Sequence, residues 1–500
     1  MDQRKLLEIQ TQRGAKTISS DISVRSLDSV TDECRAAISA KSDSYRELSS
    51  NAKSEAIKQI IIDYVMDKKP LVEGYIDEDK RPDVVKLVDK LVEDITDYGI
   101  LTAAMMDESV YEIRANGKEI KIERAGRVED LRDKDGNILS FESPEKQTII
   151  MRKLLGDIRL TPKDAIVNGR TLEGYRIAAV HSSALSPDPN DPTGEAYDAF
   201  VLRKFRKSKM DLGQIVEKGT LSDNMARLLA LAPAGGWTFL TGGPTASGKT
   251  TLNNAILQAV PATTRTVLLQ NPSEIDLRFK DASGRVYNDV LHLEAKDKDN
   301  PTPNDPTMGN LMDHTLRLSP TFVCFGELRT NLEFKLGMKI MQAGHPINCT
   351  FHAESSMGAI KRFLTAYLSE SGNEPSHLAL STLTDLVHLI IVQKIMRDGT
   401  RKVIQISEVI GVNPEDREQP LLNDLYIFDI DREPIYDEAG NVKEIRGTHK
   451  RVGRLSDRAV RRMQLEGVSR SRYDFLIKDL DKTEVETYTG KNIDHYGMNI

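Results

Sequence analysis

From Arg81 to Met106 the apolar positions Val84, Leu87, Val88, Leu91, Val92 and Ile95 recur at three- and four-residue steps, which predicts an amphipathic helix against a core. Upstream, residues 1–70 are polar with Ser and Asp clusters, and only 55–66 carries a helical pattern. That stretch reads as a polar leader with one helix and no evident chemistry. Past residue 108 the period shortens. Residues 109–114 and 119–123 read as strands, and Asn116-Gly117 between them predicts a tight hairpin turn. A helix over 148–158 and strands over 171–180 and 199–205 follow, with a Pro-, Asp- and Asn-rich surface loop at 187–193. Residues 71–208 therefore form an α+β domain, and a linker near 208–220 leads out of it.

Beyond the linker, short apolar runs alternate with helical ones. Strands are expected at 237–240, 264–269, 321–325 and 347–351, and helices at 249–260, 308–318, 332–343 and 355–368. Such alternation implies a parallel sheet with helices on both faces. A charged, Pro-punctuated insertion occupies 281–306, and a strand pair at 387–395 and 402–408 closes a domain spanning 209–415. Residues 416–500 are polar and mixed and read as an extension without assignable chemistry.

Composition narrows the class. Hydrophobic residues make up 39% and charged residues 29%, the balance of a soluble globular protein. No run approaches the ~18 apolar residues of a membrane span, and the N-terminal residues lack the apolar core of a secretory signal. Cys34, Cys324 and Cys349 are far apart without CxxC spacing, which argues against a disulfide framework or a four-cysteine zinc site and fits a reducing compartment. Cys324, Cys349 and the methionines of 332–343 read as core filler. The net charge of −7 provides no basic stripe for a phosphate backbone. The densest basic patch, 203–209, reads as a solvated charged face, with a more specific role open for Arg203.

The candidate chemistry begins at Gly243-Pro244-Thr245-Ala246-Ser247-Gly248-Lys249-Thr250, a complete G-x-x-x-x-G-K-[ST] loop between a buried strand and a helix. Its glycines let backbone N–H groups curl around phosphate, Lys249 reaches the terminal phosphates, and the Thr250 hydroxyl is placed for Mg²⁺. A phosphate there gains from the helix N-terminus. An NTPase also needs a carboxylate near the metal or the attacking water. Glu327, just past the strand 321–325, points into the crevice at the carboxyl end of a parallel sheet, and Glu274 is a second candidate. His345 and His352 flank 347–351 and read equally as catalytic or structural histidines. Arg317 and Arg329 bracket the Glu327 strand, each either neutralising phosphate charge or forming a surface salt bridge.

The stretches GGPTASGKTT, LRLSPTFVCFGELR, AGHPINCTFHAES and VLRKF resemble the type II/type IV secretion-system ATPase superfamily. Within it they are most similar to the CpaF/TadA-type branch of tight-adherence pili and its relatives in conjugative transfer. The resemblance covers residues 88–411. It implies a RecA-like P-loop ATPase domain preceded by a smaller α+β N-terminal domain, with ATP and Mg²⁺ as ligands. It places Gly243–Thr250, with Thr251 following, as the Walker A loop, Glu327 as the Walker B glutamate, and Glu274 as the last carboxylate of the aspartate box. His345 matches a Gly-His pair and His352 the histidine box, while Arg176 and Arg203 match N-terminal-domain arginines that approach nucleotide. Metal-binding falls to Thr250 and Glu327. The resemblance further implies a homohexameric cytoplasmic motor on an inner-membrane platform protein, with no direct nucleic-acid binding.

Two positions depart from the family pattern. Gln270-Asn271 stands where Glu-Asp is usual, and Thr321 where an Asp is usual, so negative charge is removed from the expected metal region. Carboxylates of the insertion, Glu294, Asp297 or Asp299, are possible replacements. Two other classes remain in view. A nucleic-acid motor on the same core predicts a basic channel or stacking aromatics, against net −7 and one Trp. A nucleotide-gated ring predicts binding with little hydrolysis.

Overall fold

The computed structural model describes residues 24–41, 50–76, 81–124, 127–156, 158–186, 194–204, 210–271, 274–296 and 305–478. The chain divides into two compact units, residues 1–208 and 209–500. The loop expected at 187–193, the end of the basic patch at 205–209, and Asp297 and Asp299 lie outside the described residues.

Among the described residues the first unit begins with helices α1 (Leu27–Ala40), α2 (Ser50–Lys68) and α3 (Val84–Thr96). Their apolar faces meet in one cluster, among them Val30, Cys34, Ile38, Ile57, Ile61, Leu87, Leu91 and Ile95. Asp83 caps α3 by accepting from the Lys86 amide. The leader thus carries a second helix that the polar composition hid. Its signal was the Ser26 cap and Val30, Cys34 and Ile38 at four-residue steps. Burial pushes the Cys34 thiol up to about 12.

After the short helix α4 (Thr102–Met106) come β1 (Val110–Asn116), β2 (Glu119–Arg124), β3 (Arg127–Asp130), α5 (Pro144–Leu155), β4 (Ile166–Arg170), β5 (Arg176–Val180) and β6 (Ala199–Arg203). The strands form one antiparallel sheet in the order β3-β2-β1-β6-β5-β4. The β1–β2 hairpin is tight as expected, but its two turn residues are Gly117, at φ +70°, and Lys118, because Asn116 already pairs with Glu119 in the ladder. Lys204 corrects the reading of its patch as a solvated face. Its ammonium is buried and donates to the carbonyls of Ala104, Met105 and Asp107, capping the end of α4, and burial lowers its pKa to about 8.

The second unit contains α6 (Leu212–Glu217), α7 (Asp223–Ala234), β7 (Phe239–Gly242), α8 (Lys249–Leu257), β8 (Thr266–Gln270), β9 (Val290–Glu294), α9 (Met308–Thr315) and β10 (Phe322–Phe325). It continues through α10 (Asn331–Gln342), β11 (Ile347–Phe351), α11 (Ser356–Ser371), α12 (Ser376–Leu386), β12 (Leu389–Ile395), β13 (Arg401–Val412) and β14 (Pro420–Asp429). A small hairpin, β15 (Ile435–Tyr436) and β16 (Val442–Glu444), precedes β17 (Thr448–Arg451), α13 (Asp457–Leu465) and α14 (Arg470–Ile477). Nine strands form one sheet, β17-β14-β13-β12-β7-β11-β10-β8-β9, parallel from β12 to β9 and antiparallel from β12 to β17.

Both faces of this sheet are buried, so its central strands read as continuous apolar runs. Phe239, Leu268, Cys324 and Ile391 face one core with α7, α8, α13 and α14, whereas Leu240, Leu269, Phe325 and Ile390 face another with α9 to α12. Cys324 and Cys349 are core residues, and burial raises both thiols. Inside the first core, Asn253 of α8 and Asn348 of β11 exchange two amide hydrogen bonds of 2.7 and 2.8 Å. Both are fully buried, and the pair fixes α8 to the sheet.

The boundary expected at 415/416 falls between β13 and β14, paired strands of this same sheet. The stretch read as a separate extension supplies two strands and, through Met463, Tyr473 and Leu476, part of the core. Its charged surface positions masked that alternation.

Two buried histidines make this unit sensitive to acid. Burial, with the Arg462 and Arg458 guanidiniums, holds His388 down at about 3, and burial with the Lys402 ammonium holds His449 down at about 4. Unfolded, each titrates near ~6.5, so the unfolded chain takes up protons first as pH falls. Stability is therefore full above pH ~6.5 and is lost as pH falls toward 4, at about 1.4 kcal/mol per pH unit for each histidine. Urea titrations followed by the fluorescence of Trp237, the only tryptophan and a buried one, are expected to show midpoints falling between pH 6.5 and 5. His449→Gln should flatten that slope, and an unaltered slope would contradict the assignment.

Candidate functional site

The glycine-rich loop lies where β7 passes into α8. Gly248 adopts φ +95° and Ala246 φ +62°, left-handed conformations that turn successive peptides inward. At Gly243 the reason for glycine is space, because a Cβ there would lie 2.2 Å from the Gln393 carbonyl oxygen and 2.7 Å from Ser247 Oγ. The Lys249 ammonium is buried and donates to the carbonyls of Gly243 and Pro244, both at 2.9 Å. The Ser247 hydroxyl is fully buried and has no hydrogen-bond partner, as are the hydroxyl of Thr241 and the side-chain oxygen of Gln393 beside the loop. Three orphan polar atoms around one loop mark a site built for a polar ligand. Thr250 and Thr251, half-buried, open α8 at the same point.

Glu327 follows β10, and one strand, β11, separates β10 from β7. The pairing Phe351↔Gly242 sets the end of β11 level with the start of the loop, so His352 stands between the loop and Glu327. Glu327 Oε2 accepts from Arg329 Nε at 2.8 Å and Nη2 at 2.7 Å, and Oε1 lies 3.5 Å from His352 Nε2. Arg329 thus holds the carboxylate rather than standing ready for phosphate. Glu274 is exposed in the loop after β8, on the same edge of the sheet.

Three expectations fail for one reason, strand direction. His345 precedes β11, and Arg317 and Thr321 precede β10, so all three lie at the amino-terminal edge of the parallel sheet, opposite the loop. The Thr321 hydroxyl donates to the Arg265 carbonyl there, at 3.2 Å. Six residues of nearly extended chain, about 20 Å, separate it from Glu327. An acidic residue at 321 would not enter the metal region.

Gln270 corrects the other departure. Its side chain is buried, with Nε2 donating to the Ile275 carbonyl at 2.8 Å and Oε1 accepting from the amides of Glu274 and Ile275 at 2.8 and 2.6 Å. It staples the loop that carries Glu274. Glu294, opposite Gln270 in the β8–β9 register, lies on the ligand edge.

In the first unit, Arg203 of β6 and Arg176 of β5 are directly opposed across their strands. On the other side of β6, Glu112 of β1 directly opposes Arg203, so the two guanidiniums share their cross-strand row with a carboxylate. Missed from the sequence were Gln393 of β12 and Arg401 of β13, both against the loop. Their strands were predicted, but nothing in their spacing connects them to it.

A phosphate loop between a buried parallel strand and a helix, with a carboxylate two strands away on the same edge, defines a P-loop nucleotide-binding unit of RecA-like α/β fold. The chain belongs to the family described as Type II/IV secretion system protein, which matches residues 95–451. It is 27% identical over 252 residues to an uncharacterized protein of Methanocaldococcus jannaschii, covering 50% of this chain and 41% of that one. It is 26% identical over 221 residues to the probable conjugal transfer protein TrbB of Sinorhizobium fredii, covering 43% and 62%. To type II secretion system ATPase E of Vibrio cholerae it is 25% identical over 296 residues, covering 58% and 53%. The chain thus spans 41% to 62% of the length of these relatives.

A glutamate at 270 would keep the two accepted bonds but set a carboxylate oxygen against the Ile275 carbonyl. Gln270→Glu is therefore expected to lower stability by about 1–3 kcal/mol without lowering the Mg²⁺ concentration for half-maximal activity. Chemical denaturation and a magnesium titration check both parts, and a lowered magnesium midpoint would return this position to the metal.

Proposed function

We propose that this chain hydrolyses ATP and works as a homohexameric motor for pilus-like assembly or type II/IV-type secretion. The observation that carries the reading is the loop itself, with the Lys249 ammonium held inside it and the Ser247 hydroxyl buried without a partner. Membership in the secretion-system family supports the process, and the motifs around Gly243 and Glu327 support the tight-adherence pilus and conjugative branch. Among the described residues no helix is long and apolar enough to cross a membrane. We place the ring at the inner face of the cytoplasmic membrane, docked on a platform protein.

The residues present fit the substrate and its metal. The loop amides and Lys249 hold the β- and γ-phosphates. Thr250 and Glu327 offer the hard oxygens that suit Mg²⁺, which keeps several waters and needs only one or two protein ligands. When bound, that ion supplies positive charge against the developing charge on the phosphate oxygens. Glu327, oriented by Arg329, orients the attacking water and accepts its proton as the bond from the γ-phosphorus to the ADP oxygen breaks. Glu274 is the alternative carboxylate. His352, beside Glu327, stabilises the transferring phosphoryl group.

A steady-state phosphate-release assay tests this reading. Lys249→Ala is expected to abolish turnover, whereas Glu327→Gln should still bind ATP and slow the chemical step by about 10²-fold or more. Near-normal hydrolysis by the Lys249 variant would remove the proposal. Loss of turnover with Glu274→Gln but not Glu327→Gln would exchange the two roles. Specific activity should rise with protein concentration as the ring assembles, and light scattering that finds a fully active monomer would sink the hexamer.

A further inference from the structure

The parallel pairing of β12 with β7 ends at Val392↔Gly242, and the β12–β13 register breaks between Val392 and Gln393. An irregularity of this kind re-aims a strand beside a site. Here it turns Gln393 onto the phosphate loop. The Gln393 carbonyl occupies the space that a side chain at 243 would need, and its amide nitrogen lies 3.1 Å from where a Cβ at 248 would stand. Gln393 is 3% exposed, and its side-chain amide oxygen is unpartnered. On the other arm of the hairpin, Arg401 Nε donates to the Ala246 carbonyl at 3.2 Å, and Arg401 Cδ lies 3.0 Å from the same position over Gly248. The turn between the arms is tied down as well. Thr400 donates its amide to Asp398 Oδ1 at 2.9 Å, and the Ile445 amide donates to Asp398 Oδ2 at 2.7 Å.

We infer that the β12–β13 hairpin clamps the phosphate loop, with Arg401 and Gln393 as positioning residues that hold it in its ligand-ready shape. The inference rests on the reading of Gly243–Thr250 as a nucleotide loop. Ala246 is the non-glycine residue of that loop with positive φ, a conformation that an L side chain resists. The Arg401 bond fixes the one carbonyl whose peptide would otherwise relax. Gln393 closes the loop's inner side, filling the space that the two glycines leave. Ordering a loop before its ligand arrives removes the entropy loss that binding would otherwise carry. The clamp therefore acts on nucleotide affinity.

The test is equilibrium binding of a fluorescent ADP analogue to the full chain, with Trp237 fluorescence reporting folding. Arg401→Ala should weaken binding roughly tenfold, while Arg401→Gln, which keeps an N–H donor without the charge, recovers part of the loss. In an Ala246→Gly background the penalty of Arg401→Ala should shrink, because glycine accepts positive φ without help. Gln393→Leu, similar in volume, should weaken binding several-fold with an unchanged unfolding midpoint. Wild-type affinity in both Arg401→Ala and Gln393→Leu overturns the clamp, as does an equal Arg401→Ala penalty in the two backgrounds. Full recovery by Arg401→Lys with none by Arg401→Gln would overturn it in favour of a purely electrostatic role. A wild-type chain that binds no nucleotide at all would fail the nucleotide reading itself, a result separate from these.

Discussion

Parallel pairing obliges the central strands of the second unit to end on one edge, and the site depends on that constraint. The segments that leave β7, β11, β10 and β8 all emerge on the same side of the sheet: the phosphate loop, His352, Glu327 and the loop carrying Glu274. Because β11 lies between β7 and β10, a gap of two strand spacings, roughly 10 Å, opens between loop and carboxylate. On the proposed function, that gap, with His352 between its two sides, is where the terminal phosphate and the attacking water are held. The buried Asn253–Asn348 pair keeps α8, and with it the end of the loop, aligned to this edge.

The same constraint decides what was legible beforehand. Gly243–Thr250 could be read because its chemistry is local and its spacing leaves few alternatives. Glu327 and His352 could be read because each comes just after an apolar run whose direction is set once the sheet is known to be parallel. His345, Arg317 and Thr321 flank the same runs and look no different in a list of residues. Direction alone puts them at the far edge. Gln270 shows a different limit, since an amide that satisfies three backbone groups of its own loop cannot be told from one that faces a metal until those partners are located.

Gln393 and Arg401 were hidden for a third reason. They lie some 150 residues from the loop they touch, and only tertiary pairing brings them there. Residues 416–478 misled through composition. Strands β14 and β17 sit toward the sheet's edge with half-exposed, charged positions, so their period-two signal is weak even though the chain is fully integrated. A polar stretch is evidence of a surface and not of an independent extension.

That integration bears on how the protein is made. The first unit's sheet is complete once residue 203 has emerged from the ribosome, and it has all its strands while most of the chain is still unsynthesised. The second unit must wait. One face of its sheet receives Met463, Tyr473 and Leu476 only when α13 and α14 arrive, more than 200 residues after the phosphate loop. Through that interval the apolar floor beneath the loop is open to water and to other chains, the circumstance in which a nascent protein calls on chaperones.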